Sequence, residues 1–130
     1  MSMASSWALQ QALYWALTSE PAVTALAKVL DAQAGPVEGD YVSIGEEQVR
    51  PRGPGLSQHD VVIEVHSAAK GFARAKAIAA EVGRVLLDTP PALAGVTVSD
   101  LRFVKARARR GRGTDRRHIA MTFRIVIDAG

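Results

Sequence analysis

The sequence predicts an α+β fold in which a mainly antiparallel sheet of four strands, or slightly more, is covered by two main helices. Three observations indicate this fold. Apolar residues recur at helical spacing near the N-terminus and again over 72–87, and they alternate with polar residues over 60–67 and 119–127. Clusters of proline and glycine separate these segments. The predicted order of elements is α-β-β-α-β-β, within a single domain of residues 1–130.

The N-terminal helix is predicted over 7–17, with Ser5 or Ser6 as its cap, and a second short helix over 21–30. The first helix is apolar on nearly every side, so it requires two packing partners. One side is expected to face the core, and the other either the same core or a neighbouring subunit. The residues proposed for subunit packing are Trp7, Tyr14 and Trp15.

A turn over 35–40 leads into a first strand over 41–44, where polar and apolar residues alternate. The two prolines and two glycines of 50–55 predict an exposed loop. A strand over 60–67 then places its apolar residues on one face and Glu64 and His66 on the other.

The helix over 72–87 has one apolar side, and the Thr89-Pro90-Pro91 sequence ends it. A strand begins at Val96, and its apolar phase slips at Ser99-Asp100, which predicts a bulge. The strand over 119–127 has the most regular alternation in the chain, so we expect it well inside the sheet.

Positive charge is concentrated between Leu101 and Arg117, where eight basic residues and one acid give a charge of +7. The whole chain carries +3, so the remainder carries −4. Turn residues within this segment predict a long β-hairpin over 103–118 that projects from the domain. It would contact an acidic protein surface, another copy of the chain, or DNA. The residues expected to make these contacts are Lys105, Arg107, Arg109, Arg110, Arg112, Arg116 and Arg117.

No motif predicts catalysis, a metal or a cofactor. The chain has no cysteine, and no pair among His59, His66 and His118 has the spacing of a known metal signature, so we interpret them as surface or structural histidines. No glycine-rich segment precedes a helix as a phosphate loop would. The N-terminal apolar stretch is too short to span a membrane and lacks the basic start of a signal peptide. We therefore expect an intracellular protein that is not an enzyme and has no membrane partner.

Several local sequences resemble, in their order and spacing, the tail-completion or tail terminator proteins of long-tailed phages and gene transfer agents. The resemblance covers nearly the whole chain, and His66 departs from it because similar proteins often have an aromatic residue there. It is carried by Ala12-Leu13-Tyr14, Tyr41-Val42-Ser43-Ile44-Gly45-Glu46, His59-Asp60 with Val65-His66-Ser67, Ala75-Lys76-Ala77-Ile78-Ala79, Leu93-Ala94-Gly95 with Leu101-Arg102-Phe103, and Arg117-His118 with Phe123-Arg124.

The resemblance implies a structural protein that forms a ring, usually of six copies, on the head-proximal end of the tail tube. Its partners would be other copies of itself, the tail-tube protein and the head-tail connector or stopper, with DNA possible in the lumen. It would assemble in the bacterial cytoplasm and end in the neck or tail of a phage-like particle. The alternative is a basic nucleic-acid-binding module that uses the arginine-rich hairpin on phosphates.

Overall fold

The computed structural model of the chain describes residues 2–30, 38–111 and 115–129. It shows an α+β fold with a five-stranded mixed sheet and three helices. The helices are α1 (Ser2–Thr18), α2 (Pro21–Thr24) and α3 (Ala73–Asp88). The strands are β1 (Lys28–Leu30), β2 (Tyr41–Pro51), β3 (Leu56–Ser67), β4 (Thr97–Arg110) and β5 (Arg117–Asp128).

The predicted sheet lacks one strand of the observed sheet, because the second helix is shorter than predicted. Helix α2 ends at Thr24, and residues 28–30 form β1, which pairs in parallel with β2 from Tyr41 onwards. Three residues show too little alternation to identify a strand from sequence. The predicted turn over 35–40 is described only from Glu38 onwards.

Helix α1 begins before both predicted caps. Ser5 and Ser6 lie inside it and are buried, and the hydroxyl of Ser6 contacts the sheet instead of capping the helix. Leu9, Leu13 and Leu17 are fully buried and form the predicted apolar stripe. The helix therefore packs on the sheet through one side and leaves the other exposed.

The strand order is β1-β2-β3-β5-β4, so β3 and β5 form the centre and β4 is an edge. Strand β2 continues past its predicted end, through a register shift between Ile44 and Glu47, as far as Pro51. The loop predicted over 50–55 is thus reduced to the turn between β2 and β3, and β3 begins at Leu56 rather than at 60.

Helix α3 and strand β4 agree closely with their predictions. Helix α3 ends at Asp88, immediately before the predicted Thr89-Pro90-Pro91 stop. Strand β4 shifts register between Val98 and Asp100, at the predicted bulge, and again between Phe103 and Lys105.

The helices cover one face of the sheet, and we call the other the open face. On the covered face, the alternate residues of β3 and β5 pack against α1 and α3 in the core, including Val61, Ile63, Ile119, Met121 and Phe123. Their neighbours along the same strands point to the open face because side chains alternate. None of the helices in the described residues has the length and apolarity needed to cross a membrane.

Candidate functional site

Three cations form a row on the open face of β4. Lys105, Arg107 and Arg109 lie opposite Thr122, Ala120 and His118 of β5. All three are exposed, and none makes a hydrogen bond or ion pair with the described residues. Alternate residues of a strand are about 6.8 Å apart, so the row spans about 14 Å. We call these three residues the cation row.

The remaining basic residues predicted for this site have different surroundings. Arg110 pairs with Asp115 at 2.7 Å, and Arg116 donates a hydrogen bond to the carbonyl oxygen of Gly39 at 2.8 Å. The guanidinium of Arg117 lies over the Phe72 ring, 5.3 Å from its centroid. Arg112 lies outside the described residues. The structure therefore divides the predicted group into a row of free cations and a set held by local contacts.

The two strands of the hairpin belong to the sheet, with β4 at its edge and β5 beside it. Strand β5 pairs with β3 along its whole length, from Asp128 opposite Leu56 to Arg117 opposite Ser67. The described part of the hairpin therefore runs alongside the sheet. Every residue of β4 from 102 to 110 is exposed, so this strand presents both its side chains and its outer backbone edge to solvent.

Two tryptophans lie on the outer side of α1. Trp7 is 56% exposed and Trp15 is 64% exposed, which is unusual for the largest apolar side chains in the chain. Tyr14, the third predicted residue, is half-buried, and its ring meets that of Trp15 edge-on at 5.9 Å. We call Trp7 and Trp15 the tryptophan pair.

The tryptophan pair and the cation row lie at opposite edges of the molecule. Helix α1 packs on β1 and β2, which form one edge of the sheet. The cation row is on β4, at the other edge, where Phe103 is also 47% exposed. One edge is thus aromatic and the other basic.

A cleft on the open face contains two histidines and a carboxylate. His66 on β3 lies directly opposite His118 on β5, and Glu64 precedes His66 by two residues on the same face. The Nε2 atom of His118 is 2.5 Å from a carboxylate oxygen of Glu64, and Nε2 of His66 is 3.8 Å from the same oxygen. The cleft encloses about 640 Å³, and Tyr41, Arg109 and Arg116 also line it.

Neighbouring residues position two of the three side chains. The His66 ring stacks on Tyr41 with centroids 4.3 Å apart. Glu64 lies against the backbone of Gly45, where an added Cβ would come within 2.7 Å of its carboxylate. Burial, assisted by the nearby His118, lowers the pKa of His66 to about 4, so this imidazole is neutral at pH 7.

The covered face carries a second cluster of polar side chains, and these side chains bond to one another inside the protein. His59 is fully buried, and its Nδ1 and Nε2 atoms contact Glu47 at 2.7 Å and Ser57 at 2.8 Å. The Ser6 hydroxyl donates to the other carboxylate oxygen of Glu47 at 2.5 Å. These four residues, which we call the buried network, join α1 to β2 and β3.

On the open face, Asp60 pairs with Arg124 at 2.9 Å across β3 and β5. The hydrogen bond from Arg124 lowers the pKa of Asp60, so the carboxylate is charged at neutral pH. A hydrolytic use of Asp60, His66 and Ser67 is not supported by the geometry, because Asp60 is engaged by Arg124 and adjacent strand residues point to opposite faces.

Sequence reasoning missed both histidine groups. It placed Glu64 and His66 on one face of a strand, but local patterns do not specify which residue of another strand lies opposite them. Metal signatures at fixed sequence spacing also overlook ligands that come from different strands. Nothing in the local sequence indicates that Glu47 is half-buried beside His59.

Comparisons with known proteins indicate the family. The family model for tail completion protein gp17 matches residues 11–128. The chain is similar to a chain in the solved virion of a native gene transfer agent particle, with 36% identity and a TM-score of 0.85 over 98% of this chain and 99% of that one. No curated protein gives a significant match. Because the family model spans almost the entire chain, this protein belongs to the gp17 family of tail completion proteins.

Proposed function

We propose that this protein is a structural tail terminator: it forms a ring, a hexamer as the family resemblance implies, that caps the tail tube of a phage-like particle and joins it to the head-tail connector. The observation that carries the proposal is its likeness, over the full length of both chains, to a chain of a gene transfer agent virion. The protein acts by assembly and not by catalysis. It is made in the bacterial cytoplasm and remains in the neck or tail.

The positions of the two exposed surfaces favour a head-to-tail contact between copies. In a ring, each subunit presents one surface to the subunit before it and a different surface to the subunit after it. The tryptophan pair and the cation row lie at opposite edges, as this arrangement requires. We infer that the α1 edge of one copy contacts the β4 edge of the next.

The chemistry of the two surfaces favours the same pairing. Guanidinium groups bind to the faces of indole rings. Phe103, on the covered face of the same strand, adds exposed apolar area to the β4 edge. Pairing of β4 with β4 of another copy would bring two cation rows together, and like charges in contact repel. The preferred partner of β4 is therefore an aromatic or acidic surface.

The first test measures mass by light scattering, for the protein alone and with purified tail-tube protein. We expect a ring, either free or formed on the end of the tube, and tubes of defined length in its presence. A protein that stays monomeric and binds neither tubes nor connectors contradicts the proposal.

The second test mixes two variants that each keep one edge. Trp7→Ser with Trp15→Ser removes the tryptophan pair, and Lys105→Ser with Arg107→Ser and Arg109→Ser removes the cation row. Neither variant should form rings by itself, but a mixture should give dimers, because one intact contact remains between unlike copies. Arg50→Ser with Lys70→Ser is the control, since both residues are exposed cations elsewhere. Normal rings from either edge variant would contradict the contact.

The tryptophan pair also supplies a direct signal, because Trp7 and Trp15 are the only tryptophans in the sequence. Their fluorescence should shift to shorter wavelength, and become less accessible to acrylamide, when the protein assembles. The variant without the cation row should show neither change at the same concentration. An unchanged tryptophan fluorescence spectrum in a ring whose mass has been measured would mean that α1 does not lie at the contact between subunits.

The cation row is also what the nucleic-acid alternative would use. If it binds phosphates, affinity for duplex DNA should fall steeply with salt, with a log-log slope of about 0.9 for each phosphate neutralised. The row variant separates the two roles. Loss of DNA binding with normal rings would assign the row to DNA, and lost rings without any DNA binding would assign it to subunit contact.

A further inference from the structure

We propose that Glu64, His66 and His118 bind one divalent transition-metal ion at the floor of the open-face cleft. The three ligand atoms lie within 4.8 Å of one another. Two imidazoles and one carboxylate are a common ligand set for Zn²⁺ and similar ions. This inference is independent of the tail terminator proposal and can fail without affecting it.

The ligands come from the two central strands of the sheet. Strands β3 and β5 are the central pair, and each has another strand on its far side. His66 and His118 are directly opposed across the pair, with Glu64 next to them on the same face. Such a scaffold holds the three side chains near the required geometry before any ion binds.

The distances require only small movements. In a tetrahedral site with bonds of about 2.1 Å, ligand atoms are about 3.4 Å apart. Here the Glu64 carboxylate oxygen is 2.5 Å from Nε2 of His118 and 3.8 Å from Nε2 of His66. All three ligand atoms lie within 4.8 Å of one another, so shifts of up to about 1.4 Å, within the reach of side-chain rotation, suffice.

Two features position the ligands for this role. The stack of His66 on Tyr41 fixes the plane of the imidazole. The Nε2 atom of His66 makes no hydrogen bond with the described residues. Gly45 leaves room for the carboxylate of Glu64, which a side chain at this position would displace. The side chains of His66 and His118 are 18% and 12% exposed, so they are shielded without being closed to an ion.

Two other features limit the affinity. The Nδ1 atom of His118 is buried and has no partner among the described residues, whereas the free nitrogen of a metal-bound histidine normally donates a hydrogen bond. A missing outer partner weakens binding about 10- to 100-fold. Four arginines that line the cleft also repel a cation: Arg109, Arg110, Arg116 and Arg117. Because salt screens this repulsion, added salt should strengthen metal binding, whereas it would weaken phosphate binding.

The test is titration of untagged protein with Co²⁺, followed by its visible absorption, and competition with Zn²⁺. We expect one saturable site per chain. His66→Phe keeps an aromatic ring on Tyr41 and removes the ligand atom, so it should fold normally and weaken binding at least about 10-fold. Glu64→Gln keeps the side-chain size and should weaken binding similarly.

The controls separate this site from other metal-binding groups. Glu46→Gln removes an exposed carboxylate from the neighbouring strand and should leave binding unchanged. His59 is present in every variant, so binding of unchanged affinity in a folded His66→Phe protein would lie elsewhere and overturn the assignment. The absence of saturable binding to the wild-type protein at millimolar Co²⁺ would overturn it as well.

Discussion

The buried network and the cation row both consist mainly of polar side chains on strands, but they lie on different faces of the sheet and differ in their contacts. In the buried network, Glu47 has partners at both oxygens, and His59 at both ring nitrogens. In the cation row, Lys105, Arg107 and Arg109 have no partner among the described residues. Charges removed from water must be paired, whereas exposed charges keep their hydration and stay available. The first group therefore holds the fold together, and the second is free to bind a partner.

The strongest test of this difference is Glu47→Ala. It leaves the fully buried His59 without its carboxylate and Ser6 without its acceptor, so we expect the free energy of unfolding to fall by about 3 kcal/mol. Urea denaturation measures the change. Glu46→Ala, one residue away but exposed, should change it by less than about 0.5 kcal/mol. Equal effects in the two variants would mean that the buried network does not support the fold.

Glu64 lies between these extremes, since its side chain is partly exposed and its carboxylate contacts His118 and lies close to the backbone of Gly45. In Gly45→Ala the new Cβ would meet the carboxylate at 2.7 Å and the carbonyl oxygen of Val62 at 3.2 Å. We expect a loss of about 1 to 2 kcal/mol from overpacking, measured by thermal unfolding. Gly83→Ala in α3 is the matched control, because its Cβ meets nothing within 4 Å. It should stabilise the helix by about 1 kcal/mol, and destabilisation there would contradict this account.

The ion pair of Asp60 with Arg124 should contribute a smaller, pH-dependent stabilisation. The pKa of Asp60 is lowered in the folded state from its ordinary value of 3.8, so the contribution is present above that pH and is lost as the pH falls through the folded-state pKa. We expect Asp60→Asn to cost about 1 kcal/mol at pH 7, since Arg124 is partly exposed, and almost nothing at strongly acidic pH. A pH series of urea denaturation curves measures this. A cost that does not depend on pH would exclude the ion pair as its origin.

The smallest effect on stability is expected at the cation row. Lys105→Ser with Arg107→Ser and Arg109→Ser removes no hydrogen bond or ion pair with the described residues, so the free energy of unfolding should change by less than about 0.5 kcal/mol for each substitution. The same variant should lose assembly. A large loss of stability in the monomer would show that these residues support the fold, and would remove the contrast with the buried network.

Much of the fold follows from local patterns in the sequence. The periodicity of α3, the proline stop after it, the bulge before Asp100 and the alternation of β5 all appear in the structure where they are predicted. These features are local because they depend on neighbouring residues along one element. Strand β1 and the second half of β2 were missed, since three residues and a strand interrupted by a bulge carry too weak a pattern.

Local patterns also predict only part of the candidate sites. The sequence located the basic segment and the aromatic residues of α1, because charge and composition can be read residue by residue. It did not separate the free Arg107 and Arg109 from Arg110 and Arg117, which have local contacts. That separation depends on which face of β4 each residue occupies and on where Asp115 and Phe72 lie in space.

By itself, then, the sequence determined the α+β class, the main helix on the sheet, the central position of β5 and the concentration of positive charge. Only the tertiary structure decided which distant residues meet: Glu47 with His59, His66 with His118, and the aromatic and basic edges on opposite sides of the sheet. The physical reason is register. A shift of one residue in strand pairing exchanges the two faces of the sheet, and local patterns do not specify which strands pair or at which residue.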